Sequence, residues 1–289
     1  MRVLVTGAGG QVGEAVARLL QGSAQVAAHD HASLDLEKPD DIRFSVREVR
    51  PDVIVNAAAY TAVDRAEIEE GRARAVNAVV PGILGEEAKR AGALLIHYST
   101  DYVFDGELDR PYVETDATRP LSAYGRTKLE GEKAVAASGC RHLILRTSWV
   151  YAPRGKNFML TMLRFAAERD TLRVVDDQHG APTSSEQLAR ATIELLDAGS
   201  ERSGIYHASA AGVTTWFGFA GAIFEGRRRA LGDELRIPTL VPITTADYPT
   251  PARRPKNSVL SNAKLENVFG VSLGEWREGL DEAIAALPA

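Results

Sequence analysis

Cysteine is almost absent from this sequence. A single cysteine, Cys140, among 289 residues excludes an intrachain disulfide framework. With 45% hydrophobic residues, a chain of this length can bury a large core without cross-links. We therefore expect a protein suited to a reducing cytoplasm, in which Cys140 is a packing residue.

Long apolar runs and a dominant charge are missing as well. No stretch approaches the roughly 18 to 20 apolar residues of a membrane-spanning helix, and no charged-then-apolar signal segment precedes the first apolar run. The formal charge is −5, and the 34 lysines and arginines are spread along the chain apart from the run Arg227 to Arg229. These absences predict a soluble, unprocessed, cytoplasmic protein that binds neither membranes nor nucleic acid.

Several kinds of catalytic site have little support. The six histidines lack metal-ligand spacing, no Gly-x-Ser-x-Gly elbow occurs, and the lone cysteine has no evident base partner. We expect His97, inside an apolar run, to be a core residue with satisfied hydrogen bonds rather than a base. Metal-dependent and nucleophilic hydrolysis are therefore disfavoured.

The first half of the sequence alternates short β-branched runs with longer amphipathic segments. This alternation predicts an α/β fold, a doubly wound, Rossmann-like parallel sheet with helices on both faces. The predicted strands are Val3 to Thr6, Gln25 to Asp30, Val53 to Ala57, Leu94 to Thr100 and His142 to Tyr151, and the predicted helices are Gln11 to Leu20, Ile68 to Ala91 and Leu129 to Ala137.

A looser rhythm after Tyr151 predicts a smaller second lobe. The segment from Pro238 to Pro255 holds five prolines, whereas Ser184 to Leu196 has the pattern of a capped helix and Gly204 to Ser209 that of a buried strand. We expect a dinucleotide-binding domain over residues 1–150, to which residues of about 184–209 return, and a mainly substrate-binding lobe over residues 151–289.

A glycine-rich loop follows the first predicted strand and opens the first predicted helix. Its sequence is Gly7-Ala8-Gly9-Gly10-Gln11-Val12-Gly13. In this context Gly7 permits a sharp turn, Gly10 lets a pyrophosphate approach the backbone, and Gly13 lets the helix press against the strand. The loop predicts a bound dinucleotide, with Gln11 and Val12 among its contacts.

Later segments fall where loops can hold the rest of such a cofactor. Asp30 closes the second strand, where a carboxylate can accept hydrogen bonds from an adenosine ribose. This position favours NAD, although neighbouring loops could accommodate the 2′-phosphate of NADP, and a simple turn residue is the alternative. The predicted contacts after the glycine loop are Asp30, Asp35, Leu36, Ala57, Ala58 and Ala59.

Tyr124 and Lys128 lie four residues apart, on one face of a predicted helix. A nearby ammonium favours phenolate and should lower the pKa of Tyr124, which would ease proton exchange with a carbonyl oxygen. The strand that ends at Thr100 delivers its hydroxyl, with Ser99 as a substitute, to the sheet edge where α/β proteins bind ligands. Thr100, Tyr124 and Lys128 are therefore the predicted catalytic residues of a nicotinamide-dependent carbonyl reductase.

Seven strings, spread over nearly the whole chain, carry a resemblance to a known family. They are Gly10 to Gly13, Asn56 to Glu67, Ser99 to Gly106, Tyr124 to Lys128, Arg146 to Tyr151, Gln178 to Thr183 and Arg254 to Ser258. The chain resembles the extended short-chain dehydrogenases that modify sugar nucleotides, and most closely the dTDP-4-dehydrorhamnose reductase family.

The resemblance implies a specific reaction, the reduction by NADPH or NADH of the C4 ketone of dTDP-4-dehydro-6-deoxy-L-mannose to dTDP-L-rhamnose. Tyr124 would supply the proton, Thr100 would orient the carbonyl, and Lys128 would hold the nicotinamide ribose. The Trp149 indole could cover a pyranose face, with core packing as the alternative. The implied substrate contacts are Thr61, Val63, Asp101, Tyr102 and Trp149.

One departure from the family concerns a metal ion. Some members bind Mg²⁺ at a dimer interface through glutamates. Here Ala15 stands at the first of these positions, beside Glu14, while Glu186 matches the second. The departure puts in doubt the bridging metal and the dimer it would clamp, so monomer and homodimer both stay open.

Two other interpretations stay open. A related 4-keto-sugar reductase, epimerase or dehydratase would share these motifs, although dehydratases typically carry an acidic pair after the active-site threonine, where this chain has Asp101-Tyr102. A non-catalytic, NADP-binding regulatory subunit, similar to the methionine adenosyltransferase partner, is the other. The intact Thr100, Tyr124 and Lys128 argue against it.

Overall fold

A parallel sheet forms the centre of the computed structural model, which describes residues 1–198, 202–232 and 237–288. The strands are β1 (Arg2–Thr6), β2 (Gln25–His29), β3 (Val53–Asn56), β4 (Leu94–Thr100), β5 (Arg141–Thr147), β6 (Val150–Tyr151), β7 (Thr171–Val175), β8 (His179–Gly180), β9 (Thr183–Ser184), β10 (Gly204–His207), β11 (Thr214–Thr215) and β12 (Thr239–Ile243). Six of them form the sheet, in the order β10-β5-β4-β3-β1-β2. The chain order switches direction between β1 and β3, and such a switch opens a ligand crevice at the carboxyl ends of the strands.

Helices cover both faces of this sheet. They are α1 (Gln11–Leu19), α2 (Pro39–Val49), α3 (Val63–Ala66), α4 (Glu70–Arg74), α5 (Val80–Ala91), α6 (Ala123–Ser138), α7 (Phe158–Glu168), α8 (Ser185–Asp197), α9 (Trp216–Leu231), α10 (Ala263–Phe269) and α11 (Trp276–Ala285). Apolar residues of α1 and α8 form one core layer, and those of α2, α5 and α6 form the other. The predicted doubly wound α/β fold is confirmed.

The strands are apolar because both of their faces are buried. In β4 every residue is buried. Leu94 and Ile96 join the layer of α1 and α8, whereas Leu95 joins the opposite layer, as the two-residue period of a strand requires. His97 follows Leu95 in this alternation, so the strand directs its imidazole toward the layer that contains α6.

A second hydrophobic core lies outside this sheet. Its residues come from α7, α9, α11 and the paired strands β7 and β12, with Met159, Phe219 and Trp276 among the buried side chains. The chain returns to the large sheet between these elements. Helix α8, capped by Ser184, packs against α1, and β10 pairs with β5 at the sheet edge. Among the described residues, no helix is both long and apolar enough to cross a membrane.

Two predicted elements are broken in the structure. The predicted strand His142 to Tyr151 ends at Thr147, because Trp149 takes a left-handed backbone conformation with φ of 48° before β6 begins. The predicted helix Ile68 to Ala91 is divided into α4 and α5 by a π-turn over Ala75–Val79. Pro81 explains this turn, because proline has no N–H to donate and crowds the preceding turn.

The packing of α6 against this π-turn can be tested with a glycine. A Cβ added at Gly131 would lie 2.1 Å from the Asn77 carbonyl oxygen, whereas one at Gly71 on α4 meets nothing within 4 Å. We expect Gly131→Ala to lower the free energy of unfolding by about 1 to 3 kcal/mol. The control Gly71→Ala should be neutral or stabilising by about 1 kcal/mol at most. Urea unfolding measures both, and an undiminished stability of Gly131→Ala would contradict the close approach.

Candidate active site

The glycine loop forms a compact turn at the switch point of the sheet. Gly7 has a φ of +74°, and a Cβ there would lie 2.6 Å from the backbone nitrogen of Ala58. A Cβ at Gly13 would lie 2.2 Å from the Gly7 carbonyl oxygen, and the Gly10 amide donates to the same carbonyl at 2.9 Å. The bare backbone therefore lets α1 approach β1 and leaves the helix N-terminus open to an anion such as a pyrophosphate.

Gln11 and Val12 begin α1 beside this loop. The Gln11 side-chain oxygen accepts a hydrogen bond of 2.8 Å from Asn157, the residue that caps α7. The Val12 side chain packs against the core layer that α1 and α8 form on one face of the sheet. A contact of Val12 with a cofactor would therefore be made by its backbone.

Asp30 lies directly beside the loop, because a Cβ added at Gly9 would be 3.3 Å from the Asp30 Cβ. Its exposed carboxylate accepts bonds from the amides of Ala32 and Ser33 and from the Ser33 hydroxyl. The bonds from Ser33 hold the pKa of Asp30 below its ordinary value. Asp30 is therefore an ionised turn residue at a position where it also faces the loop.

The remaining predicted cofactor residues lie on the two neighbouring loops. Asp35 accepts a bond of 3.0 Å from the Glu37 amide, and the Leu36 side chain packs against the core layer of α2 and α5. Ala57, Ala58 and Ala59 follow β3, where Ala57 and Ala58 approach Gly7. These small side chains leave room on the side of the crevice that the glycine loop borders.

Tyr124 lies in the first turn of α6, next to the end of β4. Ser122 caps the helix by accepting from the Gly125 amide at 3.2 Å, and Glu67 accepts from the Ala123 amide at 2.7 Å. Thr100, at the end of β4, lies close enough to act on the Tyr124 phenol, while its hydroxyl donates to Asp101 Oδ1 at 2.9 Å. The ring of Tyr102 packs edge-on against that of Tyr124, with centroids 5.7 Å apart.

The pKa of Tyr124 shifts in the direction opposite to the prediction. Burial raises the pKa of the phenol to about 12, because a phenolate loses hydration there, and the nearby Thr100 hydroxyl offsets only part of this effect. The sequence-based expectation of a lowered pKa is therefore wrong. A phenol that stays protonated at neutral pH is nevertheless the form that can donate a proton.

Lys128 lies one turn further along α6 and is almost fully buried. Its Nζ donates to the Tyr98 carbonyl at 2.6 Å and lies 3.5 Å from His97 Nε2. Burial lowers the pKa of Lys128 to about 8, although the nearby Glu132 carboxylate acts in the other direction. His97 also contacts Asn56 through Nδ1 at 3.0 Å, so it is a core histidine with partners, as predicted.

The predicted substrate residues lie on loops at the carboxyl ends of β3, β4 and β5. Thr61 is exposed and Val63 begins α3, while Asp101 and Tyr102 form a short turn directly after β4. Trp149 follows β5 in its left-handed conformation. The fold therefore brings these loops to the same edge as Tyr124.

Trp149 is held by a second tryptophan that the sequence analysis did not identify. The rings of Trp149 and Trp216 stack with centroids 3.6 Å apart and an angle of 8° between their planes. Gly180 leaves space beside them, since a Cβ there would lie 2.5 Å from the Trp149 indole. One face of Trp149 is thus used for packing. No local pattern around Trp216 could have indicated this contact.

Two more positioning contacts were missed. The Asn77 side chain accepts from the Tyr60 amide at 2.8 Å and donates to Thr127, so it ties the loop after β3 to α6. Arg254, in the proline-rich segment, pairs with Asp64 of α3 at 2.9 Å. Asn77 and Arg254 are far in sequence from their partners, which no short motif can reveal.

Arginines neutralise the glutamates at the positions considered for Mg²⁺. Arg18 pairs with Glu186 and lies 3.8 Å from Glu14, which also pairs with Arg154. Within residues 1–198, 202–232 and 237–288, no group of three His, Cys, Asp or Glu side chains could hold a metal ion.

Asp101 should make the stability of the protein depend on pH. Burial raises its pKa to about 6, so the folded protein keeps a proton that the unfolded chain has already lost. The free energy of unfolding therefore falls as the pH rises through this range. We expect Asp101→Asn, which keeps an oxygen for the Thr100 hydroxyl, to be about 1 to 3 kcal/mol more stable than wild type at neutral pH and equal to it at about pH 4.

Asp116 provides a control of opposite sign in the same urea titrations. Its pKa is lowered to about 2, first of all by Arg110. Asp116→Asn should therefore cost stability at neutral pH and less in acid. A constant difference between Asp101→Asn and wild type across this pH range would contradict the assignment for Asp101.

The chain is similar over nearly its whole length to a family model and to several known proteins. The family model for the RmlD substrate binding domain matches residues 1–288. A dTDP-4-dehydrorhamnose reductase of Burkholderia thailandensis is 49% identical over 285 residues, which cover 96% of each chain. The crystal structure of a dTDP-4-dehydrorhamnose reductase from Clostridium acetobutylicum has a TM-score of 0.92 at 39% identity over 99% of each chain. One from Bacillus anthracis, in complex with NADP, has a TM-score of 0.91 at 34% identity over 98% of each chain.

A switch-point glycine loop next to a partly buried tyrosine and a buried threonine and lysine is typical of enzymes that move a hydride and a proton between a nicotinamide and an alcohol or ketone. The fold and site thus define an NAD(P)-dependent oxidoreductase of the short-chain dehydrogenase type. Because the match extends over essentially the whole chain, the protein belongs to the dTDP-4-dehydrorhamnose reductase family. The family predicted from the sequence resemblance is confirmed.

Proposed function

We propose that this protein reduces the C4 ketone of dTDP-4-dehydro-6-deoxy-L-mannose to dTDP-L-rhamnose, with NADPH or NADH as the reductant. The observation that carries this proposal is the placement of the Tyr124 phenol at the start of α6 and of Thr100 at the end of β4, at the sheet edge where the glycine loop lies. Relatives that match over nearly their full length are dTDP-4-dehydrorhamnose reductases.

The glycine loop fits the pyrophosphate of a dinucleotide, because Gly7, Gly10 and Gly13 leave backbone where side chains would otherwise stand. A bound nicotinamide cofactor supplies the hydride for C4. We assign residues 1–150 mainly to cofactor binding and residues 151–289 mainly to the substrate, of which the structure describes 151–198, 202–232 and 237–288. The Bacillus anthracis relative, solved with NADP, favours a site that also accepts the 2′-phosphate.

The source of the proton is inferred from the side chains around Tyr124. The hydroxyl of Thr100 holds the substrate carbonyl oxygen beside the phenol, and Tyr124 gives its proton to that oxygen as negative charge develops there. Lys128 holds the nicotinamide ribose and, while it is protonated, stabilises the phenolate that remains. A raised pKa suits this direction of the reaction, because the phenol stays loaded with its proton until the alkoxide forms.

The sugar would lie against the loops that follow β3, β4 and β5. We assign Thr61, Val63, Asp101, Tyr102 and Trp149 to this pocket. Trp149 can offer a sugar only the ring face that is not stacked on Trp216. We further propose that the protein works in the cytoplasm, which its single cysteine favours, as a monomer or a homodimer.

The proton donor can be tested by substitution. We expect Tyr124→Phe to lower kcat for NADPH oxidation with dTDP-4-dehydro-6-deoxy-L-mannose about 100- to 10,000-fold, because the ring remains while its proton is lost. Tyr206→Phe, on β10 at the far edge of the sheet, is the matched control. An unimpaired Tyr124→Phe would exclude this role, and a folded wild type that binds NADPH but leaves this sugar unreduced would exclude the substrate.

The charge of Asp30 should tune the choice between the two nicotinamide cofactors. Asp30→Asn keeps an oxygen for the Ala32 and Ser33 amides but removes the charge that repels a 2′-phosphate. We expect the ratio of kcat/KM for NADPH to that for NADH to rise about five- to tenfold, which corresponds to about 1 kcal/mol of repulsion. Asp52→Asn, at the opposite end of the sheet, should leave the ratio unchanged. An unchanged ratio in Asp30→Asn would place the ribose elsewhere.

A further inference from the structure

A line of buried polar side chains runs beneath the candidate site from β1 to α6. The Thr6 hydroxyl donates to Asn56 Oδ1 at 2.7 Å, Asn56 Nδ2 lies 3.0 Å from His97 Nδ1, and His97 Nε2 lies 3.5 Å from Lys128 Nζ. None of these four residues is more than 2% exposed. Three neighbouring strands of the sheet are thereby linked to the helix that carries Tyr124.

The hydrogen bonds of Asn56 determine where the proton of His97 lies. The Ala58 amide N–H, 3.3 Å from one side-chain atom of Asn56, needs an acceptor, so that atom is Oδ1 and the other is Nδ2. Since Nδ2 donates, His97 Nδ1 must accept. A neutral imidazole then carries its single proton on Nε2, the nitrogen that faces Lys128.

The charge state of His97 is equally well defined. Burial, and next the positive charge of Lys128, hold the pKa of His97 well below its ordinary value. The ring is therefore neutral throughout the range in which most histidines titrate. At neutral pH the uncharged His97 therefore presents an N–H group to Lys128.

An N–H that faces Lys128 favours one form of its side chain. An ammonium group has three donors and no lone pair, so it cannot accept a bond from His97, whereas an unprotonated amine can. The Tyr98 carbonyl oxygen, 2.6 Å from Nζ, accepts a hydrogen bond from either form. The difference between the two forms therefore depends on His97.

We propose that His97 is a positioning residue for the reductase, which anchors the Lys128 nitrogen at the end of this buried line and stabilises its unprotonated form. The inference deepens the proposed function and rests on it for its effect on turnover. The effect on turnover would come through the protonation state of Lys128, which lies one turn from Tyr124 on α6 and is almost fully buried. The shifted pKa of Lys128 agrees with this arrangement.

The other groups that face Lys128 act differently. On α6, Tyr124 is neutral and Glu132 favours the ammonium form. The Glu132 carboxylate is itself paired with Arg146 of β5 at 2.7 Å and accepts from the Ser99 hydroxyl at 2.5 Å, so much of its charge is compensated. On β4, the Tyr98 carbonyl and His97 complete the surroundings. Of these groups, His97 is the one whose hydrogen bond requires the unprotonated amine.

Two substitutions separate the two nitrogens of His97. In His97→Gln the side-chain amide reaches the position of Nε2 and can still donate toward Lys128, whereas in His97→Asn it reaches only the position of Nδ1. His207→Asn is the matched control, because His207 is also fully buried and lies on β10, two strands away. Thermal unfolding of all three variants would establish that they are folded.

The direct measurement is the pKa of Lys128 in the ligand-free protein, from ¹³C NMR of lysine labelled at Cε and assigned with Lys128→Met. We expect His97→Asn to raise this pKa by about one unit, and His97→Gln and His207→Asn to change it by less than about half a unit. The alkaline limb of the profile of kcat against pH should move with it in His97→Asn alone. In the wild type, ¹⁵N NMR of labelled histidine should show His97 protonated on Nε2.

Each failure has a separate meaning. A proton on Nδ1 of wild-type His97, or a Lys128 pKa that is unchanged in a folded His97→Asn, would overturn the inference, and the first of these needs no variant. Equal shifts in all three variants would also overturn it, because they would reflect general loosening. If the shifts occur as expected but the wild type does not reduce the dTDP sugar, the His97 contact stands and the proposed substrate fails.

Discussion

The close backbone contact between the glycine loop and the segment after β3 is the constraint on which the site depends. Gly7 approaches Ala58 so closely that a Cβ would lie 2.6 Å from its nitrogen. This approach brings the glycine loop against the segment after β3 at the switch point of the sheet. It also fixes Ala58, whose amide orients Asn56 and, through Asn56, the imidazole of His97. The cofactor loop and the proton chemistry of α6 are thus parts of one connected arrangement.

Burial, rather than pairing of opposite charges, sets the protonation of the two central side chains. Tyr124 becomes a weaker acid and Lys128 a weaker base, since each charged form would lose its hydration. The two effects are complementary. The phenol keeps its proton until the substrate oxygen takes it. The pKa of the Lys128 amine comes closer to neutral pH, where the amine exchanges protons readily.

Local patterns in the sequence were sufficient for the fold class and for several of the site's contacts. The glycine loop, the fully buried β4 and the pair Tyr124 and Lys128 each carry their signal within a few residues, and Thr100 ends β4 as its sequence pattern predicts. The sign of the Tyr124 shift could not be predicted, because desolvation depends on residues distant in sequence. The π-turn before α5 was missed because the amphipathic pattern continues through Pro81. The roles of individual cofactor and substrate contacts stay predictions.

Long-range contacts explain the other gaps. Asn77, Trp216 and Arg254 act on segments that lie far from them along the chain, and only the folded arrangement reveals their partners. The helix α2 was overlooked although Ile42 and Val46 lie four residues apart and are both buried, because the rest of its sequence is strongly polar.

The stacked pair of Trp149 and Trp216 has a consequence for how this enzyme can diversify. Trp149 extends from a strand of the large sheet, whereas Trp216 begins α9 and packs at the border of the second core. The indole assigned to the sugar is therefore supported by a hydrophobic core other than the one that supports Tyr124 and Lys128. Substitutions in the second core can move the Trp149 indole by small steps while Tyr124 and Lys128 stay in place. The choice of sugar and the reduction of its ketone therefore depend on side chains supported by different hydrophobic cores. Substitutions can alter the first without changing the second.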